Sequence, residues 1–535
     1  MMPSSWQSPK RLAEAVKKEG NKIKKHPGPL EVYSLPLEAR PMNIKGCKGY
    51  RFGKDSGKRN RTIMVIGATG AGKSTLVNWI INYILGVTWE DRFRFMLVDE
   101  DTTKSQAHSQ TSEVTVYKLN HRNGFQIDYS LTIVDTPGFG DTRGIERDRM
   151  IISQLENLFS AQHGVSEIDA ICFVAQASLA RLTQTQKYVF DSVLSIFGKD
   201  VPDNIRIMVT FADGQRPLVL TAINESGVPC PKSEDGLPIN FKFNSSALFA
   251  DNKLDEEDGG GNFDKMFWDM GTKSMKNFFS ALNLIETKSL TLTKEVLKQR
   301  AQLENSIENL QKKMKLGFAK LEEINQESQI LKTHDAEKTA NEDFEYEVGC
   351  IRPVEIDISK TGNWSLNCQK CKTTCCYPCH VKLDLTYLCI VMDWFGNCKE
   401  CPQKCHHSKH ATQKFRWEDK EVKEKRTLQK LKDKYEEATK KKMSVQDIIR
   451  QMEVEYDRLQ DDVVGLMEES ATCLNTLKEI ALKPNPLSTP EYIDLLIEGE
   501  KSEAKPGYKE RIQKLQEMRE KAETMKKVSS GDKLH

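Results

Sequence analysis

At 535 residues the chain is too long for one hydrophobic core, because cores stop growing at about 250 to 300 residues and longer chains divide into domains. Charged residues make up 29% of the chain, but the net charge is only +2, so the sequence lacks the basic excess of a dedicated nucleic-acid binder. Neither a secretion signal nor an apolar stretch of about 18 residues is evident, which excludes a transmembrane segment and predicts a cytoplasmic protein.

The first part of the chain divides into two regions. Residues 1–60 are polar and rich in Lys, Gly and Pro, which predicts a flexible N-terminal segment with one short helix near residues 12–16. Over residues 61–285, short apolar runs alternate with longer amphipathic stretches, as strands and helices do in α/β proteins. We therefore expect an α/β domain with a mostly parallel sheet.

A phosphate-binding motif follows the first strand of this domain. The pattern G-x-x-x-x-G-K-[ST] comes after the apolar run 62–66 and before an apolar helical run, the context that the motif requires. Its backbone N–H groups can surround phosphate oxygens at a helix N-terminus, while Lys73 reaches the β- and γ-phosphates and Ser74 binds Mg²⁺. The predicted nucleotide contacts are Gly67, Ala68, Thr69, Gly70, Ala71, Gly72, Lys73, Ser74 and Thr75.

A second motif supplies groups for Mg²⁺ and the γ-phosphate. Residues 130–134 read as a buried strand that ends in Asp135, and a carboxylate there can hold Mg²⁺ through water while the Gly138 N–H senses the γ-phosphate. Between the two motifs, Thr111 is the candidate switch threonine that completes Mg²⁺ coordination and contributes to catalysis. Ser109 or Ser112 could replace it, and an ordinary polar loop is the competing interpretation.

Two further segments concern the base. The strand 206–211 leads to Asp213, whose acceptor-only carboxylate can take both N–H groups of a guanine edge, which adenine does not offer in that arrangement. Ser246 and Ala247 follow another short strand and are expected to close over the base. The sequence therefore predicts GTP and GDP rather than ATP as ligands.

These motifs resemble those of the septins and of the related immunity-associated (GIMAP-type) GTPases. The resemblance lies in GATGAGKSTLVN, DTPGFGD and TFAD, and it covers about two fifths of the chain. It implies a GTPase fold and a tendency to form homodimers or higher oligomers through the G domains. Thr210 and Phe211 depart from the Asn and Lys of the general GTPase pattern, where the lysine packs over the base.

A further departure concerns catalysis. Phe139 stands where Ras-like enzymes place the glutamine that orients water, so we expect slow hydrolysis in the monomer. Thr111, a second subunit or a partner's arginine could supply the missing group. Arg143, Arg147 and Arg149 follow the motif closely, but a solvated helix face is the more economical interpretation of these three residues.

Two helical stretches are predicted after the G domain, over 289–345 and 420–482. Apolar residues recur in a heptad pattern in both stretches, from Val296 to Leu331 in the first and from Leu428 to Ile480 in the second. An antiparallel hairpin within one chain is the favoured pairing, and a parallel coiled coil between chains is the alternative. After a Pro-rich stop, residues 487–535 are predicted to form a C-terminal helical segment and tail, with Thr489 as N-cap.

Between these helices lies a cysteine module, over residues 346–418. Nine of the 14 cysteines fall between Cys368 and Cys405, and two C-x-x-C pairs with nearby His predict a closed, structural zinc module that binds two Zn²⁺ ions. The eight predicted ligands are Cys368, Cys371, Cys375, Cys379, Cys398, Cys401, Cys405 and His410. Spare candidates are Cys376, Cys389, His380, His406 and His407. A small reduced cysteine core is the competing interpretation.

Two functional hypotheses follow from this organisation. In the first, GTP binding switches self-assembly, and the helical stalk with its zinc tip engages an unidentified protein partner. In the second, the chain is a zinc-module adaptor whose G domain binds nucleotide but hydrolyses it poorly. A ubiquitin ligase or RNA binder is less consistent with the ligand spacing and with the missing basic and aromatic surface. The basic residues Lys54, Lys58, Arg59 and Arg61 resemble a basic segment that septins carry in the same place, which implies a contact with anionic lipid. A solvated tail is the simpler interpretation.

Overall fold

The computed structural model describes residues 11–23, 30–97, 112–140, 145–179, 184–252, 260–337, 345–377, 379, 385–389, 391–393, 395–427, 433, 445–483, 489–503 and 508–530. Two compact units are present: the first comprises Met1–Ile307 with Glu469–His535, and the second comprises Glu308–Glu468. Within the described ranges, no helix has both the length and the apolarity that crossing a membrane requires.

The strands of the first unit are β1 (Asn21–Lys22), β2 (Glu31–Ser34), β3 (Glu38–Ala39), β4 (Cys47–Phe52), β5 (Asn60–Gly67), β6 (Phe93–Met96), β7 (Val114–Leu119), β8 (Ser130–Asp135), β9 (Glu167–Ile168), β10 (Ala170–Gln176), β11 (Ile205–Thr210), β12 (Asn240–Lys242) and β13 (Lys288–Ser289). The second unit contains β14 (Glu345–Asp357), β15 (Ser365–Cys368), β16 (Thr373–Cys376), β17 (His410–Gln413) and β18 (Phe415–Thr427). The α-helices are Leu12–Glu19, Lys73–Ile84, Ile145–Ser160, Gln184–Leu194, Val219–Glu225, Gly260–Leu284, Thr291–Glu337, Val445–Ile480, Pro490–Glu503 and Tyr508–Ser530.

An eight-stranded sheet organises the first unit, in the order β12-β11-β10-β5-β8-β7-β4-β3. The five strands from β12 to β8 are parallel, and β7 joins them antiparallel to β8. The predicted mostly parallel sheet is therefore confirmed. Its parallel strands end at one edge, where Gly67, Asp135 and Thr210 are the last residues of β5, β8 and β11.

Both faces of this sheet are covered by apolar side chains. Along β5, Ile63 and Val65 belong to one buried cluster, whereas Met64 and Ile66 belong to the other. Since successive side chains of a strand point to opposite faces, the continuous apolar run of β5 reflects burial on both sides. This double burial holds the strand ends, and thus the site that follows them, in a fixed position.

The N-terminal region departs from the sequence prediction. The predicted flexible segment 1–60 includes β4, which pairs in parallel with β7 in the main sheet, and β2, which pairs with β6. The helix Leu12–Glu19 buries Leu12, Ala13 and Val16 against the same core. The prediction is corrected for these residues, because a few apolar side chains at helical spacing suffice to anchor a segment that is polar on average.

The second unit contains a long two-stranded ladder that the sequence did not predict. Strand β14 pairs antiparallel with β18 from Glu345 opposite Thr427 to Asp357 opposite Phe415. Residues 420–427 are therefore strand, although the second helical stretch was expected to begin at 420. The described helix begins at Val445, and the heptad positions Leu428, Leu431, Tyr435 and Ala438 lie outside the described residues.

Within this unit, contacts between the helices Thr291–Glu337 and Val445–Ile480 run in antiparallel order. Lys313 Nζ lies 2.6 Å from Asp462 Oδ2, and Lys320 Nζ lies 3.1 Å from Glu455 Oε2. Further along, Ile324 packs with residues of the second helix in a small buried cluster. These contacts have the order of the predicted hairpin, while the coiled coil and its pairing within or between chains stay predictions.

Candidate functional site

The phosphate loop, residues 67–74, joins β5 to the helix Lys73–Ile84. At Gly67 a Cβ atom would lie 2.5 Å from the Val174 carbonyl oxygen, and Gly72 has a φ of +87°, so both positions require glycine. The Lys73 side chain is buried, and its Nζ donates to the carbonyl oxygens of Ala68 at 2.9 Å and Gly67 at 3.2 Å. The loop thus has the backbone geometry and the cation that a phosphate chain requires.

Neighbouring strands hold the phosphate loop in place. The Thr210 hydroxyl, at the end of β11, donates to the Ala71 carbonyl oxygen at 2.7 Å, and Gln176 Nε2, at the end of β10, donates to the Gly70 carbonyl oxygen at 3.0 Å. Sequence reasoning treated Thr210 only as a departure from the general motif. In the structure the buried hydroxyl connects the base-recognition strand to the phosphate loop.

The second motif lies directly against this loop. Asp135 is only 1% exposed and stands opposite Val65 in the register of β5 and β8. A Cβ atom at Gly138 would lie 2.5 Å from Thr69 Oγ1, so this close approach also requires glycine. Burial raises the pKa of the nearby Tyr117 phenol above its ordinary value, and the Asp135 charge adds to that shift. Asp135, the predicted Mg²⁺ ligand, thus lies at the end of β8 next to the phosphate loop, at the same edge of the sheet as Ser74.

Phe139, which stands where Ras-like GTPases have a glutamine, lies in the hydrophobic core. Phe139 is fully buried, its N–H donates to the Gly67 carbonyl oxygen at 3.2 Å, and its carbonyl oxygen accepts from the Thr69 N–H at 2.9 Å. Both backbone groups are thus engaged by the phosphate loop. A phenyl ring held in this way cannot orient a water molecule.

The switch segment is described only at its end. Thr111 and its alternative Ser109 lie outside the described residues, as does Arg143. Arg147 is buried and donates to the Ser112 carbonyl oxygen at 2.6 Å, while Arg149 forms an ion pair with Glu304 at 3.2 Å. The solvated-face interpretation does not hold for Arg147, which connects the helix Ile145–Ser160 to Ser112, the residue that follows the predicted switch threonine.

Two loops at the end of β11 and β12 form the predicted base site. Asp213 is exposed, and its Oδ1 accepts from the Gln215 N–H at 3.0 Å. Ser246 is exposed and Ala247 is buried. Asn244, which sequence reasoning missed, joins the two loops, because its Nδ2 donates to the Ala212 carbonyl oxygen at 2.9 Å and its Oδ1 accepts from the Ser246 N–H at 3.1 Å.

A second missed residue, Arg94, fixes the far side of the base loop Ser245–Leu248. Its guanidinium is fully buried, donates to the Leu248 carbonyl oxygen at 2.9 Å and lies 4.3 Å from the ring of Trp268. Burial lowers the pKa of Arg94 to about 10, so the side chain stays cationic at neutral pH. A lone arginine in a strand gave no sequence signal for this role.

Within the described part of the cysteine module, the ligand candidates lie in three groups. One contains Cys368, Cys371, Cys401 and Cys405, the second contains Cys375, Cys398, Cys401 and His410, and the third contains Cys376, Cys379 and Cys389. Seven of the eight predicted ligands therefore fall in the first two groups. The eighth, Cys379, lies instead with two of the spare cysteines, while His380 lies outside the described residues.

Comparison with known proteins places the phosphate loop and Asp135 in a recognised family domain. The Septin family model matches residues 58–161. Septin-1 of Drosophila melanogaster is 31% identical over 115 residues, which make up 22% of this chain and 26% of that protein. Protein peanut of the same species is 33% identical over 115 residues, 20% of this chain and 19% of that protein.

More distant similarities extend the comparison. Septin-2B of Xenopus tropicalis is 28% identical over 134 residues, which make up 25% of this chain and 32% of that protein. The solved structure of Toc33 from Arabidopsis thaliana in complex with GDP and Mg²⁺ aligns with a TM-score of 0.26 and 16% identity, over 41% of this chain and 85% of that chain. The chain spans less than a third of the length of each of these three curated relatives, the two septins and Protein peanut. Over residues 58–161 it therefore carries a septin-like P-loop GTPase domain.

Proposed function

We propose that the first unit binds GTP with Mg²⁺ and that the bound nucleotide controls assembly of the protein into homodimers or larger oligomers. The observation that carries this proposal is that the phosphate loop, Asp135 and the segment that contains Asp213 lie at the ends of β5, β8 and β11, which share one edge of the sheet. Asp213 is the group that selects guanine, since a carboxylate can accept two hydrogen bonds from the guanine edge.

The residues at this edge suit a magnesium ion. Ser74 lies in the first turn of the helix after the phosphate loop and Asp135 ends the adjacent strand, and both offer the oxygen ligands that Mg²⁺ prefers. A bound ion would neutralise part of the phosphate charge. Thr111 remains our candidate for the additional ligand from the switch segment.

Slow hydrolysis is part of the proposal. The buried Phe139 supports it, because this position cannot place a water molecule for attack on the γ-phosphate. A second subunit or a partner could then supply the missing catalytic group. Such a requirement would make hydrolysis depend on assembly.

The second candidate function is an adaptor in which the cysteine module binds a protein partner and nucleotide turnover is unimportant. The grouping of buried thiols favours a zinc-stabilised module, because three thiolates and an imidazole, or four thiolates, form a closed structural zinc site. The zinc module itself is common to both proposals. They differ in whether the nucleotide changes the assembly state.

Nucleotide affinity and particle mass test the proposal together. The purified chain is titrated with GTP, GDP and ATP in Mg²⁺, and light scattering measures the mass of each bound state. We expect GTP to bind at least about tenfold tighter than ATP, a preference worth about 1.4 kcal/mol, and the GTP state alone to be larger. Asp213→Asn should lose the preference, whereas the exposed control Asp235→Asn should keep it.

The two parts of the proposal can fail separately. Equal affinity for GTP and ATP in the unmodified chain would contradict guanine selection by Asp213. Equal mass in all nucleotide states would contradict switched assembly and favour the adaptor.

A further inference from the structure

Cys401 belongs to two of the three ligand groups. In each of these two groups, the four ligand atoms all lie within 4.8 Å of one another. Four sulfur ligands around one tetrahedral zinc ion are separated by about 3.8 Å, given Zn–S bonds of about 2.3 Å. Each group therefore has the size and ligand number of one tetrahedral site, and the two sites meet at the Cys401 sulfur.

The ligand count determines how two ions can be accommodated. Together the two groups contain seven residues, but two separate tetrahedral ions would need eight. A thiolate has several lone pairs and can bind two metal ions at once. We propose that this module holds a pair of Zn²⁺ ions bridged by the Cys401 thiolate, an inference that rests on the zinc module proposed above.

His410 provides an independent indication of a ligand in the second group. Its side chain is 6% exposed, and its buried Nε2 has no hydrogen-bond partner among the described residues. Its Nδ1 lies 3.2 Å from the His406 carbonyl oxygen, which favours the tautomer with the proton on Nδ1 and a lone pair on Nε2. An unsatisfied buried acceptor is costly, and a metal ion would satisfy it.

Backbone N–H groups already point at the sulfur atoms. The Cys405 N–H donates to Cys401 Sγ at 3.2 Å, the Glu400 N–H to Cys398 Sγ at 3.4 Å and the Cys371 N–H to Cys368 Sγ at 3.4 Å. Such donors stabilise negative charge on sulfur, which a cluster of six thiolates requires. The tight turns of the two C-x-x-C pairs thus orient the thiols before any ion binds.

The third group is separate from the pair. Cys379 Sγ and Cys389 Sγ lie 3.8 Å apart, and with Cys376 they form a three-thiol group that shares no residue with the other two. An ion in this group would add to the zinc content of the chain. It would share no bridging thiolate with either ion of the pair.

X-ray absorption at the zinc edge tests the bridge directly in the whole 535-residue chain. Two bonds of about 2.3 Å that meet at one sulfur near the tetrahedral angle place the ions about 3.7 Å apart, so we expect a Zn–Zn scattering contribution near that distance. Elemental analysis of the same sample gives the zinc content. If the chain holds at least two zinc ions but shows no Zn–Zn scattering, the bridge is wrong and the zinc module stands. If the chain binds no zinc, the zinc module is wrong as well.

Variants give a second test by the number of ions lost. Cys401→Ser should release two zinc ions per chain and abolish the Zn–Zn contribution, whereas Cys371→Ser should release at most one. The control Cys350→Ser removes a buried thiol of the same unit outside all three groups and should keep every ion. If Cys401→Ser and Cys371→Ser each lose one ion, the bridge is contradicted. If a variant fails to fold, the X-ray absorption of the unmodified chain decides whether the bridge exists.

Discussion

Thr210 shows how a departure from a motif can have a structural cause. Its hydroxyl donates to the Ala71 carbonyl oxygen, and a Cβ atom at Gly72 would lie 3.2 Å from its methyl carbon. The same side chain thus supports the phosphate loop through one hydrogen bond, and its methyl group leaves little room for a side chain at position 72. An asparagine at this position would have to fit a longer side chain into the same buried space.

Replacing Thr210 should weaken both folding and nucleotide binding. Thr210→Val keeps the shape but removes the donor, so we expect a loss of about 1 to 3 kcal/mol in the free energy of unfolding. Because the phosphate loop loses a restraint, GTP affinity should also fall. Denaturant unfolding and nucleotide titration measure the two effects. Thr210→Ser retains the hydroxyl and is the control, and equal behaviour of the two variants would contradict a role for the hydrogen bond.

Arg61 belongs to the basic stretch that suggested a lipid contact or a solvated tail, yet it is buried. Its Nη1 lies 2.7 Å from Asp169 Oδ1 and donates to the Ile285 carbonyl oxygen at 3.0 Å, while Asp169 Oδ2 accepts from the Thr62 N–H at 2.6 Å. The pair thus joins the start of β5 to the chain after the helix Gly260–Leu284.

Removing one charge of this pair should be strongly destabilising. Arg61→Leu leaves the Asp169 carboxylate buried without its partner, and we expect a loss of about 3 to 5 kcal/mol in the free energy of unfolding. Lys58→Leu alters an exposed residue of the same basic stretch and should change stability by less than about 0.5 kcal/mol. Thermal or denaturant unfolding of both variants makes the comparison. Similar losses would show that Arg61 has no special structural role.

Site residues were predictable where the chemistry lies in consecutive positions. Residues 67–74, Asp135 and Asp213 follow strands in recognisable motifs, so local spacing predicted them. Asn244 and Arg94 act through contacts with backbone groups of distant segments, and no local pattern marks them. Ligand grouping in the cysteine module likewise depends on how β15, β16 and β17 pair, so the sequence left the pairing of the ligands open and did not indicate that Cys379 lies with Cys376 and Cys389.

At the scale of elements, β18 shows why a charged segment was taken for helix. Its sequence FRWEDKEVKEKRT is rich in Lys and Glu, which have good helix propensity and poor strand propensity. The strand forms because β14, far earlier in the chain, offers a complete antiparallel partner. Cross-strand pairs such as Arg352 Nε with Glu424 Oε1 at 2.8 Å compensate for the unfavourable propensity.

The antiparallel helix contacts predict a specific chemical cross-link. A zero-length carbodiimide reagent should join Lys313 to Asp462, because their charged atoms lie 2.6 Å apart. If the helices pair within one chain, mass spectrometry should find the linked peptides in protein that still runs as a monomer on a denaturing gel. Asp462→Asn should remove this link. Recovery of the linked peptides only from the dimer band would establish pairing between chains.

The packing of the C-terminal helix Pro490–Glu503 on the first unit can be tested by substitution. Ile493 is fully buried in a core cluster of the first unit, whereas Leu495 on the same helix is 41% exposed. Ile493→Ala should lower the free energy of unfolding by about 2 to 5 kcal/mol, because a cavity replaces the lost side chain. Leu495→Ala should cost less than about 1 kcal/mol. Equal losses in denaturant unfolding would mean that this helix is not docked through Ile493.

For the whole molecule, the two proposed ligand sites fall in different units. The nucleotide site and both large apolar clusters lie in the first unit, while the cysteine groups form a cluster of their own in the second. Among the residues that the structure describes, the cysteine cluster has few apolar side chains other than the cysteines themselves. Metal binding would therefore supply a large part of the folding free energy of the module, as it does in small zinc domains.

Selective removal of zinc should destabilise the cysteine module and leave the nucleotide site unchanged. A zinc chelator in the presence of excess Mg²⁺ should increase amide hydrogen exchange in β15, β16 and β17 while exchange in the phosphate loop and the affinity for GTP stay unchanged. The reason is that the ligand groups stabilise only the strands that carry them, whereas the main sheet has its own core. Cys368→Ser should reproduce the effect, and Cys350→Ser should not. Loss of GTP binding on chelation would contradict this independence, because the nucleotide site would then depend on the metal-bound module for its own structure.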